Sequence, residues 1–160
     1  GHLVLSTLHT NDAPSAVMRL LELGVPDYLL EATLIGVMAQ RLVRTLCAEC
    51  KAPDGELSDD VWNSLGGSWK LPKPATVYRP IGCPECRQTG YRGRTGLYEL
   101  LTVSEEFTRL IGDSADLAGL RQQSVADGMK PLRIAGAMKI IEGATTAEEV
   151  LKVTAALSSS

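Results

Sequence analysis

Four cysteines are the residues of this chain whose type and spacing most directly indicate chemistry. They form two pairs, Cys47 with Cys50 and Cys83 with Cys86, and each pair encloses two residues. Two thiolates at this spacing share one tight turn, and two such turns complete the tetrahedral sulfur shell that suits zinc. Two disulfides or one redox-active pair are the alternatives. We expect a reducing compartment, because the chain shows no signal-peptide pattern, and this disfavours stable disulfides; a redox motif needs no matching second pair.

A histidine after an apolar run is the second candidate. Leu3, Val4 and Leu5 predict a buried strand over residues 1–8, and His9 follows it in a polar segment that ends at Asp12. Because ligands of open α/β sheets bind beyond the carboxyl ends of the strands, His9 and its polar neighbours could line a ligand cleft. The alternative is that the segment only caps the next helix and that His9 is an ordinary loop residue. The local sequence alone favours this alternative.

A glycine- and arginine-rich stretch over residues 90–96 is the third candidate. The guanidinium groups of Arg92 and Arg94 can pair with phosphate, and the neighbouring glycines allow a close approach of the backbone. A surface turn is the alternative, and Arg41 and Arg44 are likewise expected to be solvated charges at a helix end. The sequence contains no phosphate-binding GxxxxGK[ST] motif, and neither a catalytic triad nor a paired carboxylate site can be argued from it.

The elements that must position these residues follow from capping and from apolar spacing. Asn11 or Asp12 predicts the start of a first helix that Gly24 ends, and a second helix is predicted over residues 26–46. A strand, a polar loop and two helices indicate an α/β layer arrangement. Further along the chain we predict a short helix over 58–65, strands over 75–81 and 95–101, and helices that begin at Ser104, Asp116, Pro131 and Thr146. Thr146 and Glu149 form a predicted capping box, and residues 158–160 are expected to fray.

Composition limits the function classes. The chain has 160 residues, a hydrophobic content of 44% and a net charge of −3, which together indicate a globular domain and not a disordered chain. A duplex-binding protein usually carries a marked excess of positive charge, and single-strand binders need aromatic platforms, of which only 4% of the residues are available. Nucleic acid is therefore not an expected partner, and no apolar run is long enough for a membrane helix.

Several segments resemble one known family, the secretion ATPases that drive type II secretion and type IV pilus assembly. Residues 1–11 look like the histidine box of these motors. The run over 39–44 with the first cysteine pair, the second cysteine pair with residues 90–99, and the ending over 143–150 fit the same family in the same order. The resemblance covers almost the whole chain outside a variable loop near residues 52–76.

The resemblance implies a fold class: the C-terminal portion of a RecA-like P-loop ATPase core, an α/β fold, with an inserted tetracysteine zinc module and a helical C-terminal region. Residues 1–46 would be the last strand and helices of the core, 47–100 the metal-binding module with the following strands, and 101–160 the helical subdomain. The P-loop, aspartate box and Walker B acid of the family precede the histidine box. The resemblance therefore implies an ATPase in a longer parent protein, whereas this chain alone is expected to be inactive.

The family also implies roles for individual residues. His9 would be the box histidine near the γ-phosphate, Arg94 would border the nucleotide, and Cys47, Cys50, Cys83 and Cys86 would hold a structural zinc ion. ATP and Mg²⁺ would be cofactors of the full-length parent.

The resemblance implies partners and a location as well. The parent would be a cytoplasmic homo-hexamer that associates with the inner membrane through platform and cytoplasmic-domain proteins of the secretion system. The tetracysteine module favours the secretion or pilus-extension branch over retraction motors, and the runs over 39–44 and 91–96 favour type II secretion. A type IV pilus extension ATPase and a free-standing zinc-ribbon adaptor are the alternatives.

Overall fold

The computed structural model describes residues 2–66, 69–112 and 115–157. Seven helices and four strands lie in these ranges, together with a 3₁₀ turn over Pro84–Cys86. The helices are α1 (Ala13–Glu22), α2 (Asp27–Thr33), α3 (Asp59–Leu65), α4 (Glu105–Thr108), α5 (Leu117–Ala126), α6 (Leu132–Ile141) and α7 (Ala147–Val153). The strands are β1 (Gly36–Leu46), β2 (Ala52–Pro53), β3 (Tyr78–Arg79) and β4 (Tyr91–Thr102). The predicted fraying of residues 158–160 lies outside the described residues.

The chain forms two compact units, and each is built from two separate stretches of sequence. Unit 1 comprises residues 1–39 and 99–130, and unit 2 comprises residues 40–98 and 131–160. The predicted division into 1–46, 47–100 and 101–160 was based on the resemblance to the family, whereas these two units are defined by compactness. The predicted division therefore stays a prediction.

The predicted strand over residues 1–8 is wrong, because the described residues up to Thr10 adopt no regular secondary structure. The side chains of Leu3, Val4 and Leu5 are 76%, 78% and 90% exposed. A strand requires a neighbouring strand that takes up its backbone N–H and C=O groups. None of the described strands pairs with this segment. Its apolar residues favour a strand, but no neighbouring strand among the described residues takes up its backbone hydrogen bonds.

The predicted second helix over residues 26–46 is also wrong, since α2 ends at Thr33 and β1 begins at Gly36. Exposure alternates along β1 with a period of two, as it does in a half-buried strand. A Cβ at Gly36 would lie 2.8 Å from the carbonyl oxygen of Leu101, so the glycine permits a close approach of β4. Pairing with β4 outweighs the helical spacing of the apolar residues Leu34, Val37 and Met38. Arg41 and Arg44 therefore lie on a strand and not at a helix end.

β1 and β4 form a two-stranded sheet. Val103 N donates to Ile35 O at one end of the pair and Cys47 N donates to Gly90 O at the other, so the strands run in opposite directions. β4 is longer than the predicted strand over 95–101 and includes most of the glycine- and arginine-rich stretch. The predicted strand over 75–81 is reduced to β3, which pairs antiparallel with β2.

The helices predicted from capping residues are confirmed where a polar side chain precedes them. Asp12, Ser58, Ser104, Asp116 and Thr146 each accept a hydrogen bond from the backbone N–H three residues later, which satisfies one of the free donors of the first turn. The capping box of α7 is wrong in one half, because the Glu149 carboxylate turns away to bind Arg44.

Each unit has its own apolar core. In unit 1, α1, α2, α5 and the end of β4 enclose Ala13, Val17, Leu30, Leu101, Phe107, Ile111, Leu120 and Met129. In unit 2, α6 packs on α7 so closely that a Cβ at Gly136 would lie 2.2 Å from Cγ1 of Val150. No helix in the described ranges is long and apolar enough to cross a membrane.

Candidate metal centre

The four cysteines converge in unit 2. The first pair follows β1, and the second pair flanks the 3₁₀ turn that precedes β4. All four sulfur atoms lie within 4.8 Å of one another. The Sγ atoms are 3.9 Å apart for Cys47 and Cys83, 3.8 Å for Cys50 and Cys86, and 3.7 Å for Cys83 and Cys86.

These sulfur distances fit a zinc ion. Four thiolates at a Zn–S distance of about 2.3 Å form a tetrahedron with edges of about 3.8 Å. The observed separations match that edge, whereas a disulfide would need about 2.05 Å. The geometry of the side chains therefore supports the sequence prediction that the two pairs face one ion.

Backbone N–H groups donate to the sulfur atoms of Cys50 and Cys86, and such donors favour the thiolate, the form that binds metal. The N–H groups of Cys83 and Gly90 each donate to Cys86 Sγ at 3.2 Å, and Gly82 N donates to Cys50 Sγ at 3.4 Å. Burial raises the pKa of Cys86, but these backbone donors and the neighbouring thiols lower it to about 6. Burial raises the pKa of Cys50 to about 11, against the opposing N–H group of Gly82.

Two glycines are required for this turn. Gly82 and Gly90 have φ angles of 111° and 74°, in the region that side chains with a Cβ rarely adopt. A Cβ at Gly90 would lie 2.3 Å from Cβ of Pro80, and one at Gly82 would lie 2.8 Å from the carbonyl oxygen of Gln88. Both glycines thus allow the backbone to fold tightly enough to aim its N–H groups at the sulfurs.

The segment over residues 143–149 docks beside the metal centre within unit 2. Lys51 donates to the carbonyl oxygen of Gly143 at 2.8 Å, and its ammonium group lies 4.6 Å from the centre of the Tyr78 ring. The Thr145 hydroxyl donates to the carbonyl oxygen of Arg44 at 2.8 Å. The segment over residues 143–149 therefore anchors α7 to the end of β1.

Arg44 and Glu149 form an ion pair between β1 and α7. Nη2 of Arg44 lies 2.6 Å from Oε1 of Glu149, and the backbone N–H of Arg44 donates to Oε2 at 3.1 Å. The guanidinium carbon lies 3.9 Å from the centre of the Tyr91 ring. The hydrogen bond with Arg44 holds the pKa of Glu149 below its usual value and raises that of Arg44. Sequence analysis missed this pair because the capping motif predicted a local partner for the glutamate.

His9 lies in unit 1, on the exposed segment that precedes α1. Among the described residues no hydrogen bond or ion pair involves its imidazole ring. In the turn that follows, the Thr10 hydroxyl donates to the carbonyl oxygen of Asp12 at 3.1 Å and Ala13 is buried. The role of His9 at a phosphate stays a prediction.

Two carboxylates and one arginine hold the start of α1. Oδ1 of Asp12 accepts from Ser15 N at 2.8 Å, and its Oδ2 accepts from Nε and Nη2 of Arg121 at 3.0 and 2.6 Å. Oε1 of Glu99 accepts from Ala13 N at 2.7 Å. Sequence analysis missed Glu99 and Arg121. The alternation of side chains along β4 could have indicated that Glu99 is buried, because it places Glu99 on the same face of the strand as Leu101.

Arg94 lies in unit 2, exposed on β4. The described residues include no hydrogen bond or ion pair of its side chain. Its contact with a nucleotide stays a prediction.

The chain is similar to known proteins over nearly its whole length. The sequence profile of the family described as "Type II/IV secretion system protein" matches residues 1–152. The chain is 50% identical to a type IV pilus assembly ATPase of Acinetobacter baylyi and 44% identical to both the type II secretion system protein E of Pseudomonas aeruginosa and the type II secretion system ATPase E of Vibrio cholerae. Each match covers 96% of this chain but only 26% of the first relative and 30% of the other two. With a family match over residues 1–152, this chain belongs to the type II/IV secretion system protein family.

Proposed function

We propose that this chain is the C-terminal part of a hexameric motor ATPase that powers type II protein secretion by assembling a pseudopilus. The observation that carries the proposal is the similarity over 96% of the chain to relatives named as ATPases of these systems. The chain spans 26% to 30% of the length of the relatives compared above. A longer parent protein would supply the P-loop that this sequence lacks.

The type IV pilus branch is the second candidate, and the 50% identity to a pilus assembly ATPase favours it. The two branches differ in what a cell loses when the gene is deleted. Loss of exoprotein secretion with intact pili, restored by the wild-type gene, is the result expected for the secretion branch. Loss of pili with normal secretion would refute the secretion branch in favour of the pilus branch.

We propose that the metal centre holds one structural zinc ion. Four thiolates fill a tetrahedral shell, so no position is left for a water molecule that the ion could activate. When bound, zinc would supply the cross-link that fixes the turns around the two cysteine pairs. The residues of the chain itself contribute the backbone N–H groups that stabilise the thiolates.

His9 and Arg94 are proposed as nucleotide-site residues of the parent, which would use ATP with Mg²⁺. The exposed imidazole on a segment that ends in a firmly held turn supports a role in contacting the reacting phosphate. His9→Ala in the parent should lower kcat more than it weakens nucleotide binding. Equal losses in both would assign His9 a general role in binding.

The metal module is proposed as a docking platform for an inner-membrane partner of a cytoplasmic hexamer. Its α3 side chains Asp60 and Asn63 are exposed, and exposed polar side chains on a rigid element are suited to recognition of a protein partner. Replacing Glu56, Asp60 and Asn63 with alanine in the parent should leave basal ATP hydrolysis intact and abolish stimulation by the partner. Full stimulation and normal secretion would instead make the module a structural cross-link only.

A further inference from the structure

We infer that Glu99 and Arg121 are positioning residues for His9, which hold the turn between His9 and α1 in the geometry that ATP hydrolysis requires. This inference rests on the proposed function, because it assumes that His9 acts on the nucleotide. Neither the buried carboxylate of Glu99 nor the ion pair of Asp12 with Arg121 has a role that follows from the similarity to known proteins.

Glu99 is unusual because it is a carboxylate in a core position. Its side chain lies on β4 with the residue only 3% exposed, next to the apolar core of unit 1. Burying a charged group is costly unless hydrogen bonds replace its water. Oε1 of Glu99 accepts the N–H of Ala13 at 2.7 Å, and this N–H belongs to the first turn of α1, where helical backbone has no partner of its own. The positive end of the helix dipole adds to this attraction.

Asp12 supplies a second, independent attachment at the same helix start. Its Oδ1 caps α1, and its Oδ2 receives two donors from Arg121 on α5. The side chains of Asp12 and Arg121 are 20% and 38% exposed, so the pair is partly shielded from water. Two different elements, β4 and α5, therefore fix consecutive residues of one turn.

His9 lies three peptide bonds from Asp12 and four from Ala13, the two residues that these attachments hold. The Thr10 hydroxyl donates to the carbonyl oxygen of Asp12, so a hydrogen bond closes the turn that joins His9 to the first residue of α1. A misplacement of a reacting group by about 1 Å can cost about 100-fold in rate. Loss of the Glu99 or Arg121 attachment should therefore lower kcat through His9, while nucleotide affinity changes little.

The test is a double-mutant cycle in the full-length parent, with ATP hydrolysis measured in the presence of Mg²⁺. Glu99→Ala should lower kcat by about 10- to 100-fold with KM within about threefold of the wild-type value. Glu99→Gln keeps an acceptor for the Ala13 N–H and should restore most of this loss. In a His9→Ala background, Glu99→Ala should cost less than about twofold, because the group through which it acts is already absent. Glu148→Ala is the control, since Glu148 is an exposed glutamate on α7.

Arg121→Ala provides the same cycle from a more exposed position, in case Glu99→Ala does not fold. Losses that multiply in the double variants, or losses in KM equal to those in kcat, would refute the positioning role while leaving the proposed function intact. A wild-type parent without ATPase activity, or a His9→Ala variant with unchanged kcat, would refute the proposed role of His9 and this inference with it.

Discussion

Glu149→Ala is the perturbation that most directly measures how the C-terminal motif is attached to β1. The substitution removes a charge-assisted hydrogen bond of 2.6 Å with the Arg44 guanidinium and leaves the backbone N–H of Arg44 without its 3.1 Å acceptor. The first contact contributes about 1.5 to 3 kcal/mol and the unpaired N–H costs about 1 to 3 kcal/mol. Because the Arg44 side chain is 51% exposed and regains water, the lower part of the first range applies. We expect the free energy of unfolding to fall by about 2.5 to 4.5 kcal/mol.

Two variants separate the parts of this effect. Glu149→Gln keeps an acceptor for the backbone N–H and loses only the charge, so it should cost about half as much. Glu148→Ala changes the exposed neighbouring glutamate and should change the free energy of unfolding by less than about 0.5 kcal/mol. The difference between the three variants isolates the contact with Arg44 from a general loss of negative charge at the start of α7.

Urea denaturation followed by tryptophan fluorescence is a suitable assay. Trp62 and Trp69 both belong to unit 2, and Trp62 is buried, so the signal reports on the unit that contains the pair. A loss for Glu149→Ala no larger than that for Glu148→Ala would refute the reasoning. So would a double-mutant cycle of Arg44→Ala with Glu149→Ala that shows no coupling.

The same contact predicts a dependence on pH. The pKa of Glu149 is held below its usual value by the hydrogen bond with Arg44, so the folded state binds the proton less readily than the unfolded state. The stabilisation is therefore fully present above the ordinary glutamate pKa of about 4.3 and is lost as the pH falls through the lowered folded value. The stability difference between the wild-type protein and Glu149→Gln should shrink in that acidic range.

Three further predictions concern the metal, the helix contact and the isolated chain. Elemental analysis of protein purified under reducing conditions should find about one zinc per chain, and a chelator should increase hydrogen exchange between Cys47 and Cys86; metal-free protein with intact thiols would contradict this. Gly136→Ala should cost about 1 to 3 kcal/mol in urea unfolding, because its Cβ would lie 2.2 Å from Val150 Cγ1, and Val150→Ala should relieve part of that cost; the absence of any relief would exclude this clash as the cause. The purified chain of 160 residues should hydrolyse ATP at background level, since it has no P-loop, and clear turnover would refute that expectation.

Features decided by adjacent residues could be predicted from the sequence. Ser58, Ser104 and Asp116 begin helices because each side chain reaches a backbone N–H three residues away, and no distant part of the chain takes part. The spacing within each cysteine pair is local in the same way. We predicted that the two cysteine pairs lie together because a zinc ion binds four sulfur atoms, and the distances between the sulfur atoms agree with this prediction.

Features that depend on residues far apart in the chain could not be predicted from the sequence. Apolar residues at helical spacing, Leu30, Leu34, Val37 and Met38, predicted a helix that continues to residue 46, yet pairing with β4 makes residues 36–46 a strand. Residues 1–8 have strand composition, yet no described strand pairs with them. Glu149 was assigned to its own helix start, and the sequence gives no indication that Arg44, which lies far away along the chain, binds it instead.

The interleaving of the two units has a consequence for synthesis and truncation. The chain passes from one unit to the other between residues 39 and 40, between 98 and 99, and between 130 and 131. When synthesis has reached residue 98, only the first stretch of each unit exists, so neither core can close at that stage. A stop codon near residue 98 leaves both units incomplete at once. Producing either unit alone would require joining its two stretches with a new linker, because no single cut separates them.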